Sequence, residues 1–542
     1  MTLFNETLNG KGSKISINRN NQPSALSIAS RREVIQGWLI DKFAEVLEIE
    51  PNQIDVSQDF EEYGLESAEA INLSGDLEDY LGCRLPPTLL WDYQNIEALA
   101  VYLANPNLSD QTNSSNLELK SGEAKGDLPL DDLQDNNQYE IPLENYQFDK
   151  FPEYKKLLAQ QEQVKSLGNG NPFFVPQETV VNDRTIIDGR ELINFATYNY
   201  IGMCGDLQVN QAAKDAIDLY GTSACASRLI SGEKPLHREL ELELADFIGV
   251  EDSIVLVGGH ATNVTTIGHL FGKDDLVIYD SLSHNSILQG CFLSGASLVA
   301  FPHNNTEALA KILSDRRHRY QRVLIVLEGV YSTDGDIADL PSVIKLKQKY
   351  KTFLMVDEAH SIGTIGKTGR GISEYCGINP KDVDLWMGTL SKSFASCGGY
   401  IAGSSALVEY LKYTAPGFVF SVGMSPPNAA ATLAAVRVLK QEPERATTLQ
   451  ARAKLFLDLA KEQNLDIGMS QDSPVIPIIV GDSLKSIQLS QNLFKRGINV
   501  PFMIYPSVPH NGARLRFFIT CNHTEEQIRS TINILTEELQ KL

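Results

Sequence analysis

Apolar positions along the 542-residue chain follow one period near the start and another further on. From Arg31, the run RREVIQGWLIDKFAEVLEI sets Val34, Trp38, Leu39, Phe43, Val46 and Leu47 on one stripe of an amphipathic helix, which Pro51 closes. A second helical pattern covers 67–80 and stops at Gly82, and a third runs from Ile96 to Leu103, so residues 30–105 read as a small all-α helical bundle. After residue 146 the texture becomes short aliphatic runs (SIVLVG, DLVIYD, VLIVLEG, TFLMVDEAH) separated by helical stretches, the pattern of an α/β fold around a mainly parallel sheet. A small C-terminal α/β subdomain is expected from about residue 431, with its own strand and helix runs (VIPIIVG, SIQLSQNLFKRG, ARLRFFIT, EEQIRSTINILTEEL) following Pro474.

The segments between these patterns are polar. Residues 1–29 lack any sustained apolar period and read as a flexible tail, and 106–145, low in aromatics and rich in Asn, Ser, Asp and Gly, reads as a solvated linker between two domains. No internal repeat is visible. With 42% apolar and 21% charged residues the chain has ordinary globular composition. Its 69 acidic against 47 basic residues, a formal charge of −22, would repel a phosphate backbone, which argues against a nucleic-acid partner. There is no basic-then-apolar leader and no run of ~18 apolar residues, so a cytoplasmic location without membrane insertion is expected. The seven cysteines show no C-x-x-C and no metal-type spacing, so no metal site is expected.

Two constellations carry chemistry. In DFEEYGLESAEAINLSGDLEDYLG, Ser67 stands directly before an acidic amphipathic helix, where a serine ordinarily caps the free backbone donors of the first turn. The second is spread over the larger half. In DLWMGTLSKSFASCGGYIAG, Lys392 sits among small hydroxylic residues, where an inward amine needs a depressed pKa or a covalent partner. Asp357 and His360 follow the strand TFLMVDEAH, at the carboxyl end where open α/β sheets bind ligands, and a buried Asp there suits a protonated pyridine nitrogen. In SIVLVGGHATNVTTIGHL a strand enters a glycine turn and a helix, so Gly259 and His260 could offer backbone N–H groups to a phosphate. GTIGKT (363–368) has only two residues between Gly363 and Gly366 where a Walker loop needs four, so it reads as an active-site loop.

The order of elements around Ser67, through GLES, the acidic helix and CRLPPTLLWDYQNIEALAVYL, resembles the acyl and peptidyl carrier family over about 75 residues, with Glu66 in place of the usual Asp. That resemblance implies a 4′-phosphopantetheine arm on Ser67, a phosphopantetheinyl transferase that installs it and an enzyme that loads the acyl group. Residues 146–542 resemble the α-oxoamine synthases, fold-type I pyridoxal 5′-phosphate (PLP) enzymes that include serine palmitoyltransferase, through NYIG, GTSACASRLISGEKPLHRELELELADFIG, VGGHATN, DSLSHNSILQG, LEGVYSTDGD, VDEAH, GTLSKS and ARLRF. By that resemblance Lys392 forms the internal aldimine, Asp357 pairs with the pyridinium nitrogen, His284 stacks on the ring and His360 contacts its hydroxyl. Gly259, His260, Thr389 and Ser391 hold the phosphate, while Arg516 and Asn199 receive the amino-acid carboxylate. His260 stands where relatives often carry Tyr or Phe, and FSVGMSPP (420–427) differs by a residue from the loop through which a second subunit of the homodimer touches phosphate. The implied activity is decarboxylating condensation of an amino acid with an acyl thioester. Three readings stay open beside it: a coenzyme A-dependent synthase with an accessory carrier, an aminotransferase acting on a carrier-bound carbonyl, and a non-catalytic scaffold.

Overall fold

A computed structural model describes residues 28–47, 49–60, 63–65, 67–82, 85, 89–104, 141–166, 171–505 and 507–542. The linker expected over 106–145 lies outside them except for its last five residues, and the expected tail except for residues 28 and 29. The chain divides into two compact units, Met1–Leu65 with Leu81–Lys120, and Glu66–Tyr80 with Ser121–Leu542.

In the first unit, helix α1 (Ile28–Val46) starts three residues before the expected Arg31. It buries Ile35, Leu39 and Phe43, and the Phe43 ring stacks on Phe60 at 4.7 Å. The helix ends at Val46, ahead of Pro51, which instead opens a 3-10 turn over Pro51–Gln53. In the second unit, helix α2 (Ser67–Leu81) runs one residue beyond the expected 67–80, and Gly82 after it is left-handed (φ +67°). The side-chain amide of Asn72 on α2 pairs with the backbone of one residue, accepting from Ala300 N (2.8 Å) and donating to Ala300 O (3.1 Å). A short helix α3 (Leu89–Asp92) in the first unit has no counterpart in the apolar pattern. Helix α4 spans Ile96–Leu103 as expected, capped by Asn95, which accepts from Ala98 N at 2.9 Å.

The rest of the second unit carries a helix, Pro152–Ser166, and then a hairpin, β1 (Arg184–Ile187) and β2 (Arg190–Asn194). The central sheet has seven strands: β3 (Asp252–Leu256), β4 (Leu276–Asp280), β5 (Ser297–Phe301), β6 (Val323–Glu328), β7 (Phe353–Asp357), β8 (Leu385–Thr389) and β9 (Gly399–Gly403), in the order 3-9-8-7-6-4-5. Only β9 runs against its neighbours, so the sheet is mainly parallel as the apolar runs imply. The runs behind β3, β4, β6 and β7 were legible; β5 (SLVAF) and the glycine-bounded β9 (GYIAG) were not. At Gly399 a Cβ would lie 2.9 Å from the Cα of Gly259, so β9 passes the start of the helix Gly259–Leu270 with room for hydrogen alone.

Beyond the sheet, helices Pro426–Gln441 and Glu444–Glu462 lead to β10 (Val475–Gly481). That strand joins β12 (Phe502–Met503) and β13 (Ala513–Phe518) in an antiparallel sheet. Strand β11 (Ile498–Asn499) instead pairs in parallel with β2, so the upstream hairpin and the C-terminal segment share one small sheet. Among the described residues no helix is long and apolar enough to cross a membrane.

Candidate active site

Parallel strands deliver their last residues to one rim, and here β6, β7 and β8 end on Glu328, Asp357 and Thr389, with Glu328 in register with Asp357. A cavity of about 180 Å³ opens there, lined by Gly259, His260, His284, Asp357, His360, Thr389, Ser391 and Lys392. Eight residues singled out from scattered sequence segments are thereby brought together.

Asp357 is buried and accepts from Asn263 Nδ2 and from Ala359 N, both at 2.9 Å. Lys392 follows β8 with its Nζ 2.8 Å from His360 Nε2 and 5.4 Å from the centroid of the Tyr198 ring. Burial pushes its amine down to about 8, against the pull of the Asp357 and Glu328 carboxylates. His360 bridges from Lys392 to the Tyr200 hydroxyl (2.7 Å from Nδ1), and burial followed by the Lys392 charge holds its imidazole well below the ordinary range. His284 caps the helix Asn285–Ser294, with its backbone N–H fixed on Glu328 Oε1 at 2.6 Å, and burial keeps its ring neutral too.

At the other end of the cavity the helix Gly259–Leu270 begins after Gly258 with no side-chain cap, leaving its first-turn donors open to an anion. Thr389 and Ser391 face it with hydroxyls 2.8 Å apart. A Cβ on Gly259 would lie 2.7 Å from Thr389 Oγ1, so glycine keeps this cradle open.

Arg516 on β13 is anchored by Nη1 on the Ser332 carbonyl (2.7 Å) and lies over the Phe518 ring, 4.6 Å from its centroid. Its Nη2 makes only a long contact to Tyr198 Oη (3.4 Å), and its buried Nε has no partner among the described residues. The free edge of the guanidinium, Nε with Nη2, is the pair of donors a carboxylate takes side-on. Asn199 does not join the set: its amide is engaged by Val181 O (3.2 Å), Cys204 O (3.3 Å) and Cys204 N (2.9 Å), so it shapes the loop before the cavity. In the glycine loop 363–368, Gly363 packs against Ser393, the residue after the lysine: a Cβ there would lie 2.6 Å from the Ser393 Cβ. Helix α2 opens on Ser67; Glu66 and the Ser67 side chain lie outside the described detail.

Sequence reasoning passed over Asn263, Ser286 and Glu328, all on the cavity wall. The first stands in VGGHATN, the second in DSLSHNSILQG and the third in LEGVYSTDGD, but nothing in their spacing marks them as neighbours. Among the described residues no group of His, Cys, Asp and Glu is arranged to hold a metal ion.

The donors fit PLP: a buried carboxylate for a ring cation, an amine held near neutrality, an open helix start with two hydroxyls for a phosphate, and an orphaned guanidinium edge for an amino-acid carboxylate. Comparison with known proteins agrees. Residues 190–535 match the family model "Aminotransferase class I and II", and residues 37–103 match "Phosphopantetheine attachment site". An 8-amino-7-oxononanoate synthase of Symbiobacterium thermophilum is 40% identical over 345 residues, 64% of this chain and 88% of that protein. Serine palmitoyltransferase of Sphingomonas wittichii superposes with a TM-score of 0.70 at 31% identity, over 72% of this chain and 98% of that one. The S. paucimobilis serine palmitoyltransferase, solved with a bound PLP–myriocin aldimine, superposes with 0.69 at 30% identity over the same shares, 72% and 98%.

Proposed function

We infer the reaction of this chain from its family: it belongs to the α-oxoamine synthases, PLP enzymes of the class I and II aminotransferase fold, and has a phosphopantetheine attachment domain towards its N-terminus. It condenses a small α-amino acid with an acyl thioester carried on its own Ser67 arm, releasing carbon dioxide and leaving an α-amino ketone. The observation that carries this reading is the presence, in one chain, of the attachment-site match over 37–103 and a cavity assembled from Lys392, Asp357 and the phosphate cradle, with the Arg516 guanidinium edge left free. The layout is then a carrier over 30–105, a linker over 106–145 and a synthase over 146–542. A chain of about 40 residues has an r.m.s. span of roughly 35 Å and gives a local concentration on the order of millimolar, so weak docking of the carrier suffices.

When bound, PLP supplies an electron-accepting ring that allows a proton to leave the amino acid's Cα. Asp357 would keep that ring cationic, and the N–H groups of Gly259 and His260 with the hydroxyls of Thr389 and Ser391 would hold its phosphate. Arg516 takes the amino-acid carboxylate on its free edge and so turns the Cα–H bond perpendicular to the ring. The Lys392 amine, at about 8, is poised to accept the Cα proton near neutral pH, with His360 against its Nζ. His284 supports the carbonyl oxygen of the thioester as charge develops on it. Glycine, alanine and serine are the amino acids to test. A phosphopantetheinyl transferase, an acyl-loading enzyme and a second copy of the chain in a homodimer complete the set of partners.

Mass spectrometry of acyl-loaded protein given each of the three amino acids should show a freed arm, an amino ketone and carbon dioxide from the amino-acid carboxyl. Amino transfer would release none. Ser67→Ala should abolish turnover of carrier-bound acyl groups and leave PLP binding intact; unchanged turnover in that variant would refute delivery from Ser67.

A further inference from the structure

We propose that Asn263 and Ser286 are positioning residues that fix the tautomer of His284, leaving its Nε2–H as a hydrogen-bond donor to the cavity. A directed chain of hydrogen bonds carries the argument. Asp357 Oδ2 accepts from Asn263 Nδ2 at 2.9 Å, and the same nitrogen lies 2.9 Å from Ser286 Oγ. Ser286 Oγ is 2.8 Å from His284 Nδ1, and Ser286 N donates to that same ring nitrogen at 3.2 Å.

Only one assignment of protons satisfies this array. A carboxylate accepts and never donates, so it turns the amide nitrogen of Asn263 towards itself. The price of that orientation is visible, because Asn263 Oδ1 is buried with no partner among the described residues. Both amide hydrogens are then committed, one to Asp357 and one to Ser286 Oγ. The serine hydroxyl, having accepted from Asn263, gives its own hydrogen to His284 Nδ1, where the backbone N–H of Ser286 also points. A ring nitrogen receiving two donors holds a lone pair, so the proton of the neutral imidazole resides on Nε2. The Glu328 bond to His284 N fixes the backbone from which the ring projects. Burial, reinforced by the nearby Lys392 and Arg516 charges, keeps the ring neutral against the opposite influence of Asp357.

The consequence for the reaction is specific. His284 is a donor to the thioester oxygen and cannot serve as the base, and Asp357 governs two things at once, the ring cation of the cofactor and, through Asn263 and Ser286, the direction of the histidine.

The test is nitrogen NMR of the PLP-loaded full chain labelled with 15N-histidine, the His284 signals being identified by their loss in His284→Gln. A protonated-type shift at Nε2 with an unprotonated-type shift at Nδ1 is expected; the reverse pattern overturns the proposal. The measurement needs no turnover, so it stands or falls apart from the condensation reading on which the role of His284 rests. Kinetics with a soluble acyl thioester give a second arm. His284→Gln places an amide N–H near Nε2 and should stay within about tenfold of the parent kcat, whereas His284→Asn, whose amide reaches only the Nδ1 position, should fall at least about 100-fold. Ser286→Ala should lower kcat about tenfold with unchanged amino-acid affinity, and Ser286→Thr, which retains the hydroxyl, should restore it. Equal losses in the Gln and Asn variants, or a Ser286→Ala enzyme with the parent kcat, overturn the relay.

Discussion

Replacing Arg516 with lysine isolates what the guanidinium edge contributes. The substitution keeps the positive charge but removes the bond to the Ser332 carbonyl and reduces the side-on pair, Nε and Nη2, to one point contact. A hydrogen bond between charged partners contributes ~1.5–3 kcal/mol, and ~1.4 kcal/mol is a decade in affinity, so the Kd for the amino acid should rise about 10- to 100-fold. Affinity for PLP should not change, since Arg516 lies outside the residues that would hold ring and phosphate. The assay titrates PLP-loaded protein with serine, alanine and glycine and with the corresponding amino amides, following the cofactor absorbance. The parent protein should prefer acid to amide strongly and Arg516→Lys only weakly. A variant that binds the acids within about twofold of the parent, or keeps the full acid-over-amide preference, would show that the carboxylate is received elsewhere.

Three further outcomes follow from the same geometry. With the Lys392 amine at about 8, roughly one molecule in ten carries it neutral at pH 7, so the rate of covalent PLP capture by the apoprotein should climb with pH and level off above about 8; continued climbing to pH 10 would contradict the burial argument. Gly259→Ala would press a methyl group against Thr389 Oγ1, at 2.7 Å before any shift, and should weaken PLP binding at least about tenfold in equilibrium dialysis, with little effect on melting temperature. His303 lies between Asp280 and Asp336, 2.8 Å from each; burial opposes its charge, but the two carboxylates win and raise it to about 10. The folded-state value exceeds the ordinary 6.5, so this contribution is complete below 6.5 and disappears as pH rises through about 10. His303→Gln should therefore cost ~3 kcal/mol of unfolding free energy at pH 6 and far less near pH 10, a difference that denaturant titration at the two pH values resolves.

Much of this was legible because strands buried on both faces leave aliphatic runs, and β4, β6 and β7 did so plainly. β9 did not: GYIAG is a strand whose glycines answer to neighbours far away in sequence, such as Gly259 against Gly399, and no local propensity reports that. The same limit applies at the site. Lys392, Asp357 and the Gly259–His260 turn stand in strand-end contexts that reveal their chemistry one segment at a time. Asn263, Ser286 and Glu328 gain meaning only from the sheet register and helix packing that bring three segments to one rim. Asn199 failed in the opposite direction, because a short polar side chain in NYIG is as able to bind its own backbone as a substrate, and here it binds Val181 and Cys204. The mixed origin of the small β1–β2–β11 sheet was likewise invisible, since pairing of β2 with β11 joins residues some 300 positions apart.

The two halves of the cavity differ in their freedom to diverge. On the side of the open helix start, Gly259 and Gly399 meet across hydrogen atoms alone and Thr389 closes the remaining space, so almost any replacement there collides with backbone or with a hydroxyl already engaged. On the opposite side the wall includes loop residues beyond the strand ends, such as Ser332, whose carbonyl holds Arg516, and there a loop can lengthen or a side chain can change without disturbing the strands beneath. New substrate preferences in descendants of this chain would accumulate on that second wall, while the first stayed fixed.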